Sequence, residues 1–289
     1  MRIVQHIGAH VTDGERLIRA LAKDAEGLAE RGIAVPAPGS YRGDIHGALV
    51  ALLNGEAPAR EALLAEIPGT VGAERLVLSN PAFICTPTKV FEGAQFYGKA
   101  GMKVRALSDL LAPHPVEIFL ATRNPATFLP AVFEQARLDT LADWLDGVDP
   151  ETISWSDLVT RIRAAAPEVP VTVWANEDTP LIWGRILRAM VGVGFDTPLA
   201  GAYDLPREIM TEAGGKRLTA YLESHPPTTE AQAGRIVAAF LDKYAREGEV
   251  VEEVDMPGWD AARVARMTEA YEADLARLSG IEGVTVLAP

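Results

Sequence analysis

The sequence predicts an α/β fold in which helices cover both faces of a doubly wound parallel sheet. Four short apolar runs, rich in Val, Ile and Leu, lack the alternation that is typical of a half-exposed strand. Helical patterns separate these runs over the first two thirds of the chain, and strand-helix alternation is typical of a parallel sheet. The four predicted strands span 2–8, 74–79, 115–122 and 169–175.

Two shorter segments extend the predicted sheet. Residues 33–35 (IAV) predict an edge strand, and residues 283–287 (GVTVL) predict a last strand that returns to the sheet. After about residue 200 the pattern changes to amphipathic helices, which we expect to pack beside the sheet. These C-terminal helical patterns span 207–225, 229–248 and 260–280.

Three helical patterns lie between the predicted strands. In the second, Pro130 either kinks the helix or lies in its first turn, where a missing N–H matters least. In the third, Thr179 is the expected N-cap and Pro180 the first helical residue. The three patterns span 14–30, 126–145 and 179–192.

Length and charge limit the classes of function. A chain of 289 residues without a Ser/Gly-rich linker predicts one domain, 1–289, with helical additions after about residue 200. Its net charge is −13, and a surface this acidic repels nucleic acid and anionic membranes. We therefore expect neither as a partner.

The sequence also bears on cellular location and on the role of the single cysteine. The N-terminus enters a strand without the apolar region of a signal peptide, and no window approaches a membrane span of about 18 apolar residues. The expectation is a cytoplasmic protein without a membrane span. The single cysteine, Cys85, matches no metal spacing and is interpreted as a core or loop residue.

Residues that follow the predicted strands are the candidates for function. In parallel sheets, ligands bind at the carboxyl ends of the strands. The first strand runs into HIGAHVTDGERL (6–17), the third is followed by Arg123 and the fourth by Asn176, Glu177 and Asp178. A Walker loop needs glycine, four residues, then Gly-Lys-Ser/Thr. Here Gly8 and Gly14 are one residue too far apart and a lysine is missing, which argues against a nucleotide kinase or triphosphatase.

Taken together, the segments that follow the predicted strands resemble those of the bacterial branch of the P-loop sulfotransferases. That family transfers sulfuryl from 3'-phosphoadenosine 5'-phosphosulfate (PAPS), and its first strand typically ends HIGxHKTGTT. Residues 6–10, HIGAH, and Thr12 match this motif. Val11 stands where the lysine belongs, Asp13 where the glycine belongs, and Gly14 and Glu15 where two hydroxyl residues belong.

The segments after the later strands account for the rest of the resemblance. The family's arginine after the third strand, which holds the 3'-phosphate, corresponds to Arg123, but its partner serine is replaced by Ala131. Glu177 and Asp178 resemble a YEDL-like turn, although both are also expected to cap the helix that follows. The carboxylate that is often found after the second strand, a base candidate, is missing from SNPAF (79–83).

The resemblance implies a P-loop sulfotransferase type of fold, PAPS as the cofactor without a metal, and a small-molecule or saccharide acceptor. His10, at the exit of the strand, is the candidate catalytic base, with a turn residue held by hydrogen bonds as the alternative. The implied cofactor-binding residues are Gly8, Ala9, His10, Val11, Thr12, Asp13, Gly14 and Arg123.

Two classes of function remain open on this fold. In the first, the protein still transfers sulfuryl, with the missing loop lysine replaced by Lys99, Lys103 or Lys216. In the second, it is a non-catalytic pseudoenzyme that binds a ligand or partner in the same cleft. The loop itself has two interpretations, an anion site or a helix start capped by Thr12 or Asp13 with Glu15 in the first turn.

Overall fold

A parallel sheet forms the centre of the molecule. The computed structural model describes residues 1–250, 254 and 256–289. Within these residues, six strands pair in the order β2-β3-β1-β4-β5-β6, and every pair is parallel. This confirms the predicted α/β class and all of the predicted strands. The strands are β1 (Arg2–His6), β2 (Ile33–Ala34), β3 (Arg75–Ser79), β4 (Val116–Thr122), β5 (Val171–Ala175) and β6 (Val284–Val286).

Helices connect the strands and cover the sheet. The α-helices of the described residues are α1 (Arg16–Ala22), α2 (Ala25–Ala29), α3 (Arg42–Leu53), α4 (Arg60–Glu66), α5 (Ala100–Leu111), α6 (Pro125–Ala136), α7 (Leu141–Leu145), α8 (Trp155–Ala165), α9 (Thr179–Val191), α10 (Asp204–Glu208), α11 (Glu212–Ser224), α12 (Glu230–Tyr244) and α13 (Ala261–Leu278).

The strand order creates a switch point beside β1. The chain leaves β1 for β2 and β3 on one side, whereas β4, β5 and β6 lie on the other side. His6, the last residue of β1, is paired with Ser79 of β3 and with Phe119 of β4. The loops after β1 and β4 therefore diverge at the carboxyl edge, where open sheets form a crevice.

Two apolar cores lie on the two faces of the sheet. On one face, α3, α5, α6 and α8 enclose large side chains such as Phe128 and Trp155. On the opposite face, α1 and α9 pack with Trp174 and Trp183. Burial on both faces is the physical reason why the strands are continuously apolar.

The C-terminal helices take two positions. α11 and α12 share a small apolar cluster that includes Ile209, Leu218 and Val237, and α12 packs against α9. α13 instead packs against α8 and α6. It leads into β6, where Val284 is paired with Val171 of β5. The prediction that the last strand returns to the sheet is confirmed.

The helix predicted over 14–30 is divided in two. α1 ends at Ala22 and α2 begins at Ala25. Between them, the carboxylate of Asp24 accepts a hydrogen bond from the backbone N–H of Ala200, at 2.9 Å. The apolar spacing alone did not reveal this contact, which comes from a residue far along the chain.

Two other helix predictions need correction. The helix predicted over 126–145 is also two helices, because Arg137 adopts the left-handed conformation (φ 53°) that ends α6. Pro130 lies inside α6, beyond its first turn. α9 begins one residue earlier than expected, so Thr179 is helical and its hydroxyl accepts a hydrogen bond from the indole N–H of Trp174, at 3.2 Å.

Candidate functional site

A crevice of about 360 Å³ opens at the carboxyl edge of the sheet, beside the switch point. Its volume is within the range of small-molecule sites. We call it the carboxyl-edge crevice. Loops after β1, β4 and β5 form its base, α10 forms one wall, and its lining includes Val11, Thr12, Asp13, Arg16, Asn124, Thr127, Asn176, Glu177, Thr179, Pro180, Trp183, Leu205, Ile209 and 248–250.

The loop after β1 continues the sheet before it turns. Ala9 N–H donates to the carbonyl of Ala121 at 3.1 Å, and the carbonyl of Gly8 accepts from Ala121 N–H at 2.7 Å. Gly8 has a φ of 108°, and a Cβ there would lie 3.1 Å from the backbone nitrogen of His10. Glycine is therefore required at this position. Gly8 and Ala9 act as sheet residues and do not line the crevice.

His10 is buried away from the crevice. Its Nδ1 lies 2.6 Å from the hydroxyl of Tyr97, and its Nε2 lies 3.1 Å from the carbonyl of Cys85. A carbonyl only accepts, so Nε2 carries the proton and Nδ1 accepts from the tyrosine. Burial lowers the pKa of His10 to about 4, which makes the ring neutral at pH 7. Because both nitrogens are engaged, the geometry favours the turn-residue interpretation over a catalytic base.

Thr12 and Asp13 are both tied to the protein. The hydroxyl of Thr12 donates to the carbonyl of Ala9 at 2.8 Å, and does not cap α1 as expected. The Asp13 carboxylate, on a residue that is 6% exposed, accepts from the N–H of Leu17 at 3.3 Å. Asp13 thus accepts from the first turn of α1 but is not its N-cap residue. Glu15 is the N-cap residue, with φ 64°, and not a first-turn residue.

One feature of this loop suits an anion. Within the described residues, no hydrogen bond engages the backbone N–H groups of residues 11–14. Val11 and Gly14 have positive φ values, 51° and 53°. Successive N–H groups in such turns form concave anion sites in other proteins. Here the buried carboxylate of Asp13 lies in the same loop.

Arg123 braces the loop from behind. Its guanidinium donates to the carbonyl of Val11 at 2.5 Å and to the hydroxyl of Thr127 at 3.2 Å. The side chain is buried, and it lines a neighbouring cavity of about 900 Å³ that also includes Ala131. In the part of the chain that the structure describes, Arg123 therefore lines a different cavity from Val11, Thr12 and Asp13.

Glu177 joins three parts of the chain at the crevice. Its carboxylate accepts from the backbone N–H of Asn124 at 2.7 Å and from the hydroxyl of Tyr271, on α13, at 3.0 Å. Asp178 is the N-cap residue of α9, as expected, but neither its side chain nor that of Glu177 makes a capping hydrogen bond. Burial raises the pKa of Asp178, and burial also raises that of Tyr271, with the Glu177 carboxylate second.

The charge of the crevice is negative. Its acidic residues are Asp13, Glu177 and Glu249, whereas its single described cation, Arg16, bonds to Glu208 at 2.9 Å. No lysine is among the described lining residues. The crevice is thus lined by carboxylates, amides and hydroxyls that accept hydrogen bonds, with Trp183 and several aliphatic side chains beside them.

The three lysines expected to replace the loop lysine lie elsewhere. Lys99 bonds to Glu92 at 2.7 Å, and Lys216 bonds to Glu212 at 2.6 Å on the exposed face of α11. Lys103 lines a separate cavity, together with Lys99. None of the three lines the carboxyl-edge crevice.

Two residues that no sequence pattern indicates, Thr127 and Tyr271, contact the side chains of Arg123 and Glu177. Thr127 lies in the first turn of α6 and Arg123 lies two residues before this helix, so the two are close in sequence but do not share a helix. Tyr271 lies 94 residues after Glu177, and no local pattern links the two.

Two further features of the chain bear on metal ions and membranes. Among the described residues, no group of three or more His, Cys, Asp or Glu side chains has an arrangement that holds a metal ion. In the same part of the chain, no helix combines the length and hydropathy needed to cross a bilayer.

Comparisons of the chain with protein-family models, with curated proteins and with solved structures find no match. The resemblance to the P-loop sulfotransferases therefore rests on HIGAH, Thr12, Arg123 and the Glu177 turn alone, and it stays a prediction.

Proposed function

We propose that the protein binds a hydroxyl- or amine-bearing small molecule, such as a saccharide, in the carboxyl-edge crevice. On this proposal the chain is a non-catalytic relative of the sulfotransferases, in which transfer of sulfuryl from PAPS is weak or lost. The observation that carries the proposal is the buried Asp13 carboxylate in the loop where a phosphosulfate would lie.

Electrostatics support the loss of donor binding. Two like charges about 4 Å apart repel by about 1 kcal/mol in water and about 4 kcal/mol at a partly buried site. A phosphosulfate would meet the carboxylate of Asp13 without a lysine to offset it. Loss of one such transition-state contact commonly lowers the rate by about 10²–10³-fold.

The same groups favour a different ligand. Carboxylates and amide oxygens accept hydrogen bonds, so the crevice complements hydroxyl and ammonium donors. Asn124, Asn176 and Thr179 add neutral polar groups, and Trp183 adds an apolar surface. An amino sugar combines all of these features, with hydroxyls, one ammonium group and an apolar ring face.

A second candidate function, PAPS-dependent sulfuryl transfer, is favoured by one observation. The N–H groups of residues 11–14 make no hydrogen bond within the described chain, and they offer donors to an anion without any side-chain charge.

Calorimetric titration separates the two functions. With adenosine 3',5'-bisphosphate, the desulfonated donor, we expect no binding at millimolar ligand. With glucosamine we expect binding that weakens by about tenfold in Asp13→Asn, because one charge-assisted hydrogen bond is lost. Asp242→Asn, on the exposed face of α12, is the matched control.

Two results would overturn the proposal. Micromolar binding of the bisphosphate that is lost in Arg123→Ala would favour the second candidate function, PAPS-dependent sulfuryl transfer. Glucosamine binding that is absent, or equal in Asp13→Asn and the wild-type protein, would remove the assigned ligand class.

A further inference from the structure

A second cavity, of about 240 Å³, lies after the carboxyl end of β3. The segment between β3 and α5 forms most of its wall, and α3 contributes His46. We call it the lysine cavity. Its lining residues are His46, Ala82, Ile84, Cys85, Thr86, Lys89, Glu92, Tyr97, Lys99, Ala100 and Lys103.

Positive charge is concentrated here against the trend of the whole chain. The chain has a net charge of −13 and contains six lysines. Three of them, Lys89, Lys99 and Lys103, line this one cavity, and Glu92 is the one carboxylate among its described lining residues. Three ammonium groups and one carboxylate leave a local charge of about +2.

Glu92 does not neutralise the cavity. Its carboxylate bonds to Lys99 at 2.7 Å and lies 3.9 Å from Lys89. The hydrogen bond from Lys99 lowers the pKa of Glu92, so this group is ionised at neutral pH. Lys103 is half-buried, and its ammonium group makes no hydrogen bond or ion pair with the described residues. Its charge is available to a ligand.

The other lining groups add no negative charge. Burial raises the pKa of the Cys85 thiol to about 12, and burial raises the pKa of the Tyr97 hydroxyl as well. Both remain protonated at pH 7. Ile84, Ala82 and Ala100 supply apolar surface beside the lysines.

Backbone contacts hold the lysine-bearing segment in place. Phe91 and Phe96 form an antiparallel bridge, and Tyr97 N–H donates to the carbonyl of Val90 at 2.6 Å. Arg161, on α8, donates to the carbonyls of Phe96 and Tyr97 at 2.7 Å and 3.2 Å. Lys89 and Lys99 therefore extend from a braced loop, and Lys103 extends from the first turn of α5.

We propose that the lysine cavity is a binding site for a small organic phosphomonoester. A phosphomonoester carries about 1.5 to 2 negative charges at pH 7, which matches the charge of the cavity. Its ester group, an aromatic or short aliphatic body, packs on Ile84 and the neighbouring alanines. The site is separate from the carboxyl-edge crevice and does not depend on the function proposed for it.

Titration with phenyl phosphate tests this site. The wild-type protein is expected to bind it with a sub-millimolar Kd that weakens as ionic strength rises, because the attraction is between charges. Lys103→Met keeps the apolar stem, removes the charge and is expected to weaken binding by about tenfold. Lys216→Met, which removes an exposed ammonium far along the chain, is the matched control.

The outcomes divide cleanly. Binding that is weakened in Lys103→Met but not in Lys216→Met supports the site. Binding that is unchanged in both Lys103→Met and Lys89→Met places the phosphate elsewhere and overturns it. No binding of phenyl phosphate at about ten times the expected Kd overturns it too. Equal melting temperatures of the variants exclude unfolding as the cause of a loss.

Discussion

The hydroxyl of Tyr97 lies 2.6 Å from Nδ1 of His10, and the two rings stack with their planes 8° apart. Tyr97 is buried and belongs to the segment that carries the lysine cavity, whereas His10 belongs to the loop of the carboxyl-edge crevice. This pair therefore joins the two candidate sites through the interior. It fixes the tautomer of His10 and withdraws its basic nitrogen from any substrate.

Acid is expected to destabilise the fold through His10. Burial lowers the pKa of this ring to about 4 in the folded protein, below its ordinary value of about 6.5. Between these values the unfolded chain binds the extra proton, so stability falls as pH falls through this window. Between about pH 7.5 and about pH 5, this one group lowers the free energy of unfolding by about 2 kcal/mol.

His10→Gln removes the titrating group and should reduce the loss of stability between these two pH values by that amount. Urea denaturation at both values measures it. His46→Gln is the control, because its exposed ring makes no hydrogen bond with the described residues. A pH dependence in His10→Gln equal to that of the wild-type protein would contradict a buried, neutral His10.

Tyr97→Phe tests the other half of the pair. The variant keeps the stacked ring but leaves Nδ1 of His10 buried without a donor, which costs about 1–3 kcal/mol. We expect the free energy of unfolding to fall by that amount in urea denaturation at neutral pH. Tyr221→Phe, at an exposed tyrosine of α11, should leave it unchanged. Equal stability of Tyr97→Phe and the wild-type protein would show that the contact is not formed.

Restoring the charge of the loop should restore anion binding. Val11→Lys with Asp13→Asn adds the lysine of the sulfotransferase motif and removes the carboxylate, and asparagine still accepts from Leu17 N–H. Calorimetry should detect adenosine 3',5'-bisphosphate in this variant but not in the wild-type protein. Val71→Lys, at a residue that is 93% exposed, adds the same charge elsewhere. If the double variant and the control behave alike, loop charge is not what excludes the donor.

The sheet was predictable from the sequence because its signal is local. Each strand is a short apolar run. Ligands bind at the carboxyl edge of such sheets, so the location of the crevice can be predicted from the strands alone, without knowledge of side-chain contacts. The roles of individual residues were less accessible. The position of His10 at the exit of a strand predicts a base, but its ring contacts Tyr97, 87 residues later, and no local pattern indicates that contact. Likewise the lysines named as substitutes for the loop lysine, Lys99 and Lys103, line a different cavity.

Asp274 is expected to be among the most sensitive residues outside the two cavities. It is 1% exposed on α13, and its carboxylate accepts from the N–H groups of Trp155 and Ser156 at 2.6 Å and 3.0 Å. It also accepts from the hydroxyls of Ser154 and Ser156 and from Arg277. A side chain of α13 therefore accepts hydrogen bonds from the N-terminal N–H groups of α8. The two helices pack against each other and contribute to the same apolar core.

Asp274→Ala leaves several buried donors unpaired at once, which should lower the free energy of unfolding by about 3–5 kcal/mol. Asp274→Asn keeps one acceptor oxygen and should lose less. Urea denaturation measures both, with Asp242→Ala on the exposed face of α12 as the control. The order of stability, wild type above Asn above Ala, follows from the count of donors left without an acceptor. An Asp274→Ala variant as stable as Asp242→Ala would mean that α13 does not hold the start of α8.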